Sequence, residues 1–240
     1  MTKIADYRQN DKFRDSYNIF TISLNGELGN HRKTLLNFDT EIFEGYTYDN
    51  APQFIKDKFR FWKVNGVIRR SLQAQHGAIG CFASHYLCMK KIVNEKIDMA
   101  IICEDDAFQK AYLPNPDIFT EATLLGTFIF HPKSWERNNK WVRETMPEVM
   151  FSWQKNIVDI DYEVFRWRGL HAYLFPKWQD AKKITDFIEQ QEKLQAIDIL
   201  LPNNKLIKKL HYPAIFGQNL GLLSQIDATM NIYNVMKSML

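Results

Sequence analysis

The stretch that decides the fold is residues 77–108, GAIGCFASHYLCMKKIVNEKIDMAIICEDDAF. A turn of small residues leads into a helix predicted over residues 78–95, and a lysine-bearing loop then leads to an apolar strand at Met99–Cys103. A short continuous apolar run is typical of a parallel strand buried on both faces. The strand ends at three acids, Glu104, Asp105 and Asp106. They are predicted at the carboxyl edge of the sheet, where open α/β folds bind ligands.

The rest of the chain alternates predicted strands and helices. Strands are predicted at Ile19–Leu24, Glu41–Tyr48 and Leu124–Phe130, and helices within His31–Asn37, over about 177–191 and in the tail 225–240. This alternation predicts an α/β fold with a mainly parallel sheet flanked by helices.

Composition indicates one globular domain. The chain has 240 residues, of which 45% are hydrophobic and 25% charged, and its net charge of +3 is too small to indicate a polyanionic partner. The three cysteines, Cys81, Cys88 and Cys103, form no C-x-x-C pair and are predicted to be reduced core residues. No signal peptide and no apolar run of about 20 residues is present. We therefore expect a cytoplasmic protein with no transmembrane segment and at most a peripheral membrane contact.

The acidic triplet predicts a metal site. Mg²⁺ and Mn²⁺ prefer carboxylate and phosphate oxygens, so Glu104 and Asp106 are predicted to hold Mn²⁺ or Mg²⁺ against a diphosphate. Asp105 either bonds the ribose of the nucleotide that carries this diphosphate or faces solvent. The alternative for all three acids is a solvated strand end without a ligand.

The surroundings of the triplet resemble glycosyltransferase family 25, which includes bacterial lipooligosaccharide galactosyltransferases and enzymes that glycosylate collagen. The resemblance rests first on the pattern G-x-x-G-C-x-x-S-H, followed after the helix by E-D-D-x-F. Its members are Gly77, Gly80, Cys81, Ser84 and His85. Further matches are the G-x-H-A-Y segment at Gly169–Tyr173, the helix at Ala181–Lys183, Ala196–Asp198, and Pro213, Gln218, Ser224 and Ile226. At the N-terminus only Arg32 can stand for the arginine of the family.

The resemblance implies the Rossmann-like GT-A fold in a single domain, residues 1–240. Residues 19–108 would form the nucleotide-sugar half, residues 109–226 the acceptor half, and residues 227–240 a C-terminal helix. It also implies metal-dependent transfer of a hexose, galactose or glucose, from a UDP-sugar to an acceptor hydroxyl with inversion. The implied donor-binding residues are Arg32, Gly80, Ser84, His85, Glu104 and Asp105.

Three histidines are candidate site residues. His85 is either a core histidine or a donor contact, since residues 84–85 are predicted one turn into a helix that starts near the ligand edge. Metal-dependent GT-A enzymes often recruit a late histidine as an extra ligand, and His171 and His211 are the candidates. Each of these two alone is more often structural.

An inverting transferase needs a general base beside the acceptor hydroxyl. Asp198 is the first candidate because the family match falls on it, and Asp106 is the second catalytic acid. Asp159, Asp161 and Glu163 are alternatives, for which a plain surface charge is the commoner explanation.

The acceptor is left open between two kinds of molecule. Trp135, Trp141 and Tyr173 are predicted to contact it, since aromatic faces hold sugar rings and also stack bases. A bacterial surface oligosaccharide is the first expectation, and a modified base in phage DNA the second. Basic residues interleaved with aromatics at 54–70 could hold a DNA backbone or be a solvated face. A non-catalytic sugar or nucleotide binder of the same fold is a third possibility.

Overall fold

A computed structural model describes most of the chain. The described residues are 11–61, 63–64, 67–68, 72–130, 157–160, 162, 166–211 and 214–218. Strands β1 to β11 span Asn18–Ser23, Glu41–Glu44, Lys63–Val64, Val67–Ile68, Ala100–Glu104, Ala107–Gln109, Thr123–Phe130, Ile157–Asp159, Arg166–Phe175, Lys209–His211 and Phe216–Gln218. Helices α1 to α5 span Glu27–Thr34, Gln53–Lys58, Leu72–Glu95, Trp178–Gln190 and Ile197–Asn203.

Seven strands form one central sheet in the order β2-β1-β5-β9-β7-β10-β8. β1 pairs in parallel with β2 and β5, and β7 pairs in parallel with β10. β9 is antiparallel to both β5 and β7, and β8 is antiparallel to β10. Five strands therefore run in one direction and two in the other, which confirms a mainly parallel, Rossmann-like sheet.

β5 is buried on both faces, as predicted. Ile102 packs into one hydrophobic cluster with the inner side of α3, whereas Ile101 and Cys103 pack into a second cluster. All three side chains are fully buried. Neighbouring positions of β9 divide in the same way, because Tyr173 joins the first cluster and Ala172 the second. The carboxyl end of β5 is thus packed on both faces of the sheet.

Three element boundaries differ from the prediction. α3 begins at Leu72 and not at residue 78, so Gly77 and Gly80 lie inside the helix. β2 ends at Glu44, and the residues predicted to continue it to Tyr48 form a loop. The helix predicted within His31–Asn37 begins earlier, at Glu27.

The predicted division into two halves stays a prediction. The central sheet combines β1, β2 and β5 with β7 to β10, so it takes strands from both halves. The predicted C-terminal helix, 227–240, lies outside the described residues.

Candidate active site

Glu104 ends β5 with its carboxylate between two buried imidazoles. Oε1 lies 3.3 Å from His85 Nε2, and Oε2 lies 3.6 Å from His171 Nδ1. His171 reaches this position because β9 pairs with β5, with Ala172 opposite Cys103. Burial alone would raise the pKa of Glu104, but the interactions with His171 and then His85 outweigh it and lower the pKa to about 2. Glu104 is therefore ionised at neutral pH.

Asp106 lies just before β6 and is held by Gln218. β11 pairs with β6 so that Gln218 stands opposite Ala107, and Gln218 Nε2 donates to Asp106 Oδ2 at 3.0 Å. Asp106 Oδ1 is buried and has no hydrogen-bond partner in the described part of the chain. Burial, and then the negative charge of Glu104, raise the pKa of Asp106 to about 6.

Glu104, Asp106 and His171 converge into a possible ligand set. One ligand atom from each lies within 4.8 Å of the others. Two carboxylate oxygens and one imidazole nitrogen suit Mn²⁺, and Mg²⁺ also binds through carboxylates. A buried acceptor atom normally has a partner, and a cation would supply one to Asp106 Oδ1. These three residues therefore fit a divalent metal ion.

Asp105 is not part of this ligand set and forms a buried ion pair. Arg32 donates from Nη1 to Asp105 Oδ1 at 2.7 Å, and the Ser23 hydroxyl donates to Oδ2 at 2.8 Å. The side chains of Arg32 and Asp105 are 3% and 7% exposed. Asp105 is buried, so the predicted alternative that it faces solvent is wrong. The pair ties α1 to the acidic turn after β5.

A cavity of about 350 Å³ opens over these acids, within the range of small-ligand sites. One wall is the loop after β2, which packs directly on α3. The Tyr46 amide donates to Ser84 Oγ at 2.7 Å, and Ser84 Oγ also bonds the Gly80 carbonyl. A Cβ on Gly80 would lie 2.5 Å from the Tyr46 carbonyl oxygen. Gly80 is needed for this close approach of helix and loop.

Sequence reasoning missed part of this wall. The ring of Tyr48 stacks on His76 with centroids 3.7 Å apart and planes 7° apart. Lys56 Nζ lies 5.0 Å from the centroid of the same Tyr48 ring. Tyr48 and His76 line the cavity with Gln218. The pairing joins a loop to a distant helix, so no local sequence pattern could have indicated it.

The model of glycosyltransferase family 25, described as an LPS biosynthesis protein, matches residues 17–175. That range is more than half of the chain and contains Glu104, Asp106 and His171. The chain belongs to glycosyltransferase family 25. No curated protein matched it in a sequence search.

The cavity of this family 25 glycosyltransferase brings together all the predicted donor-binding residues. Arg32, Gly80, Ser84, His85, Glu104 and Asp105 all line it. Their positions differ from the prediction in one respect. His85 lies in the middle of α3, so the helix N-terminus does not explain its place. Its imidazole is buried and bonds Tyr173 and Glu104.

Two predicted contacts of this glycosyltransferase lie elsewhere. His211 does not join the ligand set, because its ring packs near Phe119, in the second hydrophobic cluster, with centroids 6.1 Å apart. Tyr173 is fully buried, and its hydroxyl lies 2.9 Å from His85 Nδ1. The prediction that Tyr173 contacts the acceptor is therefore wrong. Tyr173 orients His85 instead.

Asp198 lies in the first turn of α5 and is half-buried. Its carboxylate accepts from the Gly169 amide at 3.4 Å. Burial, and then the charges of Glu104, Asp198 and Asp106, raise the pKa of the Cys81 thiol, so Asp198 lies within electrostatic range of the cavity wall. By contrast, Asp159 is exposed and bonded by Lys209 at 2.6 Å.

Several residues named in the sequence analysis, whether as acceptor contacts, alternative bases or matches to the family pattern, fall outside the described residues. They are Trp135, Trp141, Asp161, Glu163, Pro213, Ser224 and Ile226. The described cysteines are all free, as predicted, but only Cys88 and Cys103 are fully buried, while Cys81 lines the cavity.

Within the described ranges, no helix has the length and apolar character needed to cross a bilayer. The expected cytoplasmic location stays a prediction.

Proposed function

We propose that this family 25 glycosyltransferase moves a hexose, galactose or glucose, from a UDP-sugar to an acceptor hydroxyl, with Mn²⁺ or Mg²⁺ as cofactor. The observation that carries the proposal is the convergence of Glu104, Asp106 and His171, of which Glu104 and Asp106 line the cavity. These residues would hold the metal. When bound, the ion would act as a Lewis acid that offsets the negative charge on departing UDP.

A metal cation needs negatively charged ligands in fixed positions, and the carboxylates of Glu104 and Asp106 support this requirement. Glu104 is ionised, since its pKa is lowered to about 2. Asp106 keeps one buried oxygen without a hydrogen bond in the described residues, and Gln218 fixes the other. The orientation of both carboxylates is thus set before a ligand arrives, and such preorganisation lowers the cost of binding.

The proposed chemistry is a single displacement with inversion, in which Asp198 is the general base. The acceptor oxygen forms a bond to the anomeric carbon while the bond from that carbon to the β-phosphate oxygen breaks. The electron pair of the broken bond leaves with UDP, and the acceptor proton passes to the Asp198 carboxylate. The hydrogen bond from the Gly169 amide supports this assignment, because it orients a half-buried carboxylate that lies within electrostatic range of Cys81 in the cavity wall.

For the acceptor we propose a bacterial surface oligosaccharide, which the family's description as an LPS biosynthesis protein supports. The rival acceptor, a modified base in DNA, loses one of its supports. Three aromatic residues of the basic stretch, Phe54, Phe59 and Phe61, pack against or within the first hydrophobic cluster and so are not a stacking surface. Binding of the protein to duplex DNA in a gel-retardation assay, weakening as the salt concentration rises, would restore that alternative.

The test is a calorimetric titration with a panel of nucleotide-sugars, with and without Mn²⁺. Binding of one UDP-sugar only when Mn²⁺ is present would support the proposal and name the sugar. Failure of every nucleotide-sugar to bind would contradict it. Slow hydrolysis of the bound UDP-sugar without acceptor separates an enzyme from a non-catalytic binder, and an Asp198→Asn variant should bind the donor but transfer at least about 100-fold more slowly.

A further inference from the structure

A second ligand set lies beside the first and shares Glu104 with it. Cys81 and His85 are one turn apart on α3, so their side chains project from the same face of the helix. Cys81 Sγ, a His85 nitrogen and a Glu104 carboxylate oxygen all lie within 4.8 Å of one another. We propose that Cys81, His85 and Glu104 form a zinc site in the wall of the cavity.

The geometry suits a tetrahedral zinc ion. Zinc–nitrogen and zinc–oxygen bonds of about 2.0–2.2 Å place two tetrahedral ligands about 3.3 Å apart. His85 Nε2 and Glu104 Oε1 already lie 3.3 Å apart. A zinc–sulfur bond of about 2.3 Å places Sγ about 3.5 Å from each of the other two ligand atoms, and the three ligand atoms already lie within 4.8 Å of one another. The fourth position opens to the cavity, which Cys81, His85 and Glu104 all line.

The group behind the ligands also suits a metal site. Histidine ligands usually bond a second group through the other ring nitrogen, which fixes the direction of the ring. The Tyr173 hydroxyl lies 2.9 Å from His85 Nδ1 and is fully buried, so it directs Nε2 toward Glu104. A bound cation favours the thiolate of Cys81, and the thiol proton is released to solvent on binding.

The two ligand sets differ in the metal they prefer. Thiolate and imidazole favour zinc, whereas the set with Asp106 offers two carboxylates, which suit manganese or magnesium. Glu104 directs Oε1 toward His85 and Oε2 toward His171, so both sets need the same side chain. Competition for Glu104 and repulsion between two dications both predict that zinc weakens the binding of manganese. This consequence rests on the proposed metal dependence, whereas the zinc site itself does not.

Cobalt titration tests the site directly. CoCl₂ is added to reduced, chelator-treated protein, and the thiolate-to-cobalt absorption band in the near ultraviolet is recorded. We expect a band that saturates at one equivalent and is bleached by ZnCl₂ in the wild type and in the matched control Cys88→Ala. Cys88 lies further along the same helix, away from the cavity lining. The band should be lost in Cys81→Ser and in Cys81→Ala.

No band in the wild type, or an undiminished band in a folded Cys81 variant, would overturn the proposal. Circular dichroism checks the fold, and Cys81 tolerates replacement better than Cys88 because it is partly exposed.

Electron paramagnetic resonance of free Mn²⁺ then measures the coupling between the two sets. Zinc should raise the apparent Kd for Mn²⁺ by at least about fivefold in the wild type and by a smaller factor in Cys81→Ser, where only direct competition of the two metals for the first ligand set remains. Equal Mn²⁺ binding with and without zinc in the wild type would refute the shared ligand. Wild-type protein that binds cobalt through Cys81 but does not bind Mn²⁺ would contradict the proposed function and leave the zinc site standing.

Discussion

The Arg32→Met variant should unfold far more easily than the wild type. Arg32 and Asp105 are 3% and 7% exposed, so removing the guanidinium leaves a buried carboxylate without its counter-charge. Breaking such a pair costs about 3–5 kcal/mol. The Ser23 hydroxyl still bonds Asp105 Oδ2 at 2.8 Å, which puts the expected loss near the lower end of that range.

Urea unfolding and thermal melting followed by circular dichroism measure this loss. For a chain of this size a loss of about 3 kcal/mol lowers the Tm by about 6–12 °C. The matched control is Lys183→Met, because Lys183 is 76% exposed in its pair with Asp180 and should cost less than about 1 kcal/mol.

The double variant Arg32→Met/Asp105→Leu separates burial of charge from loss of packing. It removes both charges, so it should be more stable than Arg32→Met alone. A loss below about 1 kcal/mol in Arg32→Met, or a double variant less stable than the single one, would refute the assignment of a desolvated ion pair.

Three further predictions concern the cavity. Asp106→Asn should weaken Mn²⁺ binding by about 10–100-fold in calorimetry, whereas Asp159→Asn, an exposed control 81% accessible at its side chain, should bind as the wild type does. Because the pKa of Asp106 is raised to about 6 while that of Glu104 is lowered to about 2, one proton must leave Asp106 before metal binds at acid pH. The Kd for Mn²⁺ should therefore rise by at least about tenfold per pH unit well below pH 6, and a flat profile between pH 7 and pH 5 would contradict this. Gly80→Ala should lower the free energy of unfolding by about 1–3 kcal/mol and weaken donor binding, because its Cβ would lie 2.5 Å from the Tyr46 carbonyl oxygen. If the melting temperature and the donor affinity are both unchanged, the loop moves freely and this reasoning is wrong.

The strand and its acids were the most predictable part of the fold. A continuous apolar run buried on both faces and closed by acids is a local pattern, so β5 and the position of Glu104 followed from the sequence. The start of α3 did not follow, because Gly77 and Gly80 resemble turn residues. Gly80 is required by contact with the distant Tyr46 carbonyl, which no local pattern reveals.

The site was predictable only where a family motif marked it. His171 was chosen through the G-x-H-A-Y segment, and the pairing of β9 with β5 brings it to Glu104. His211 was the other histidine considered as a metal ligand, but it lies on β10, where its ring packs near Phe119. The role of Gln218 depends on the pairing of β11 with β6, which joins residues far apart in the chain.

That pairing has a consequence for the timing of synthesis. Asp106 receives the amide of Gln218 from β11, so its carboxylate is oriented only after residue 218 has been translated and has left the ribosome. Chains are made from the amino end at about 5–20 residues per second. Glu104 and His171 are thus present seconds before the last support of Asp106 arrives. A nascent chain can pair β1, β2, β5, β7 and β9 of the central sheet first, whereas β10 and the contact of Gln218 with Asp106 form late in translation.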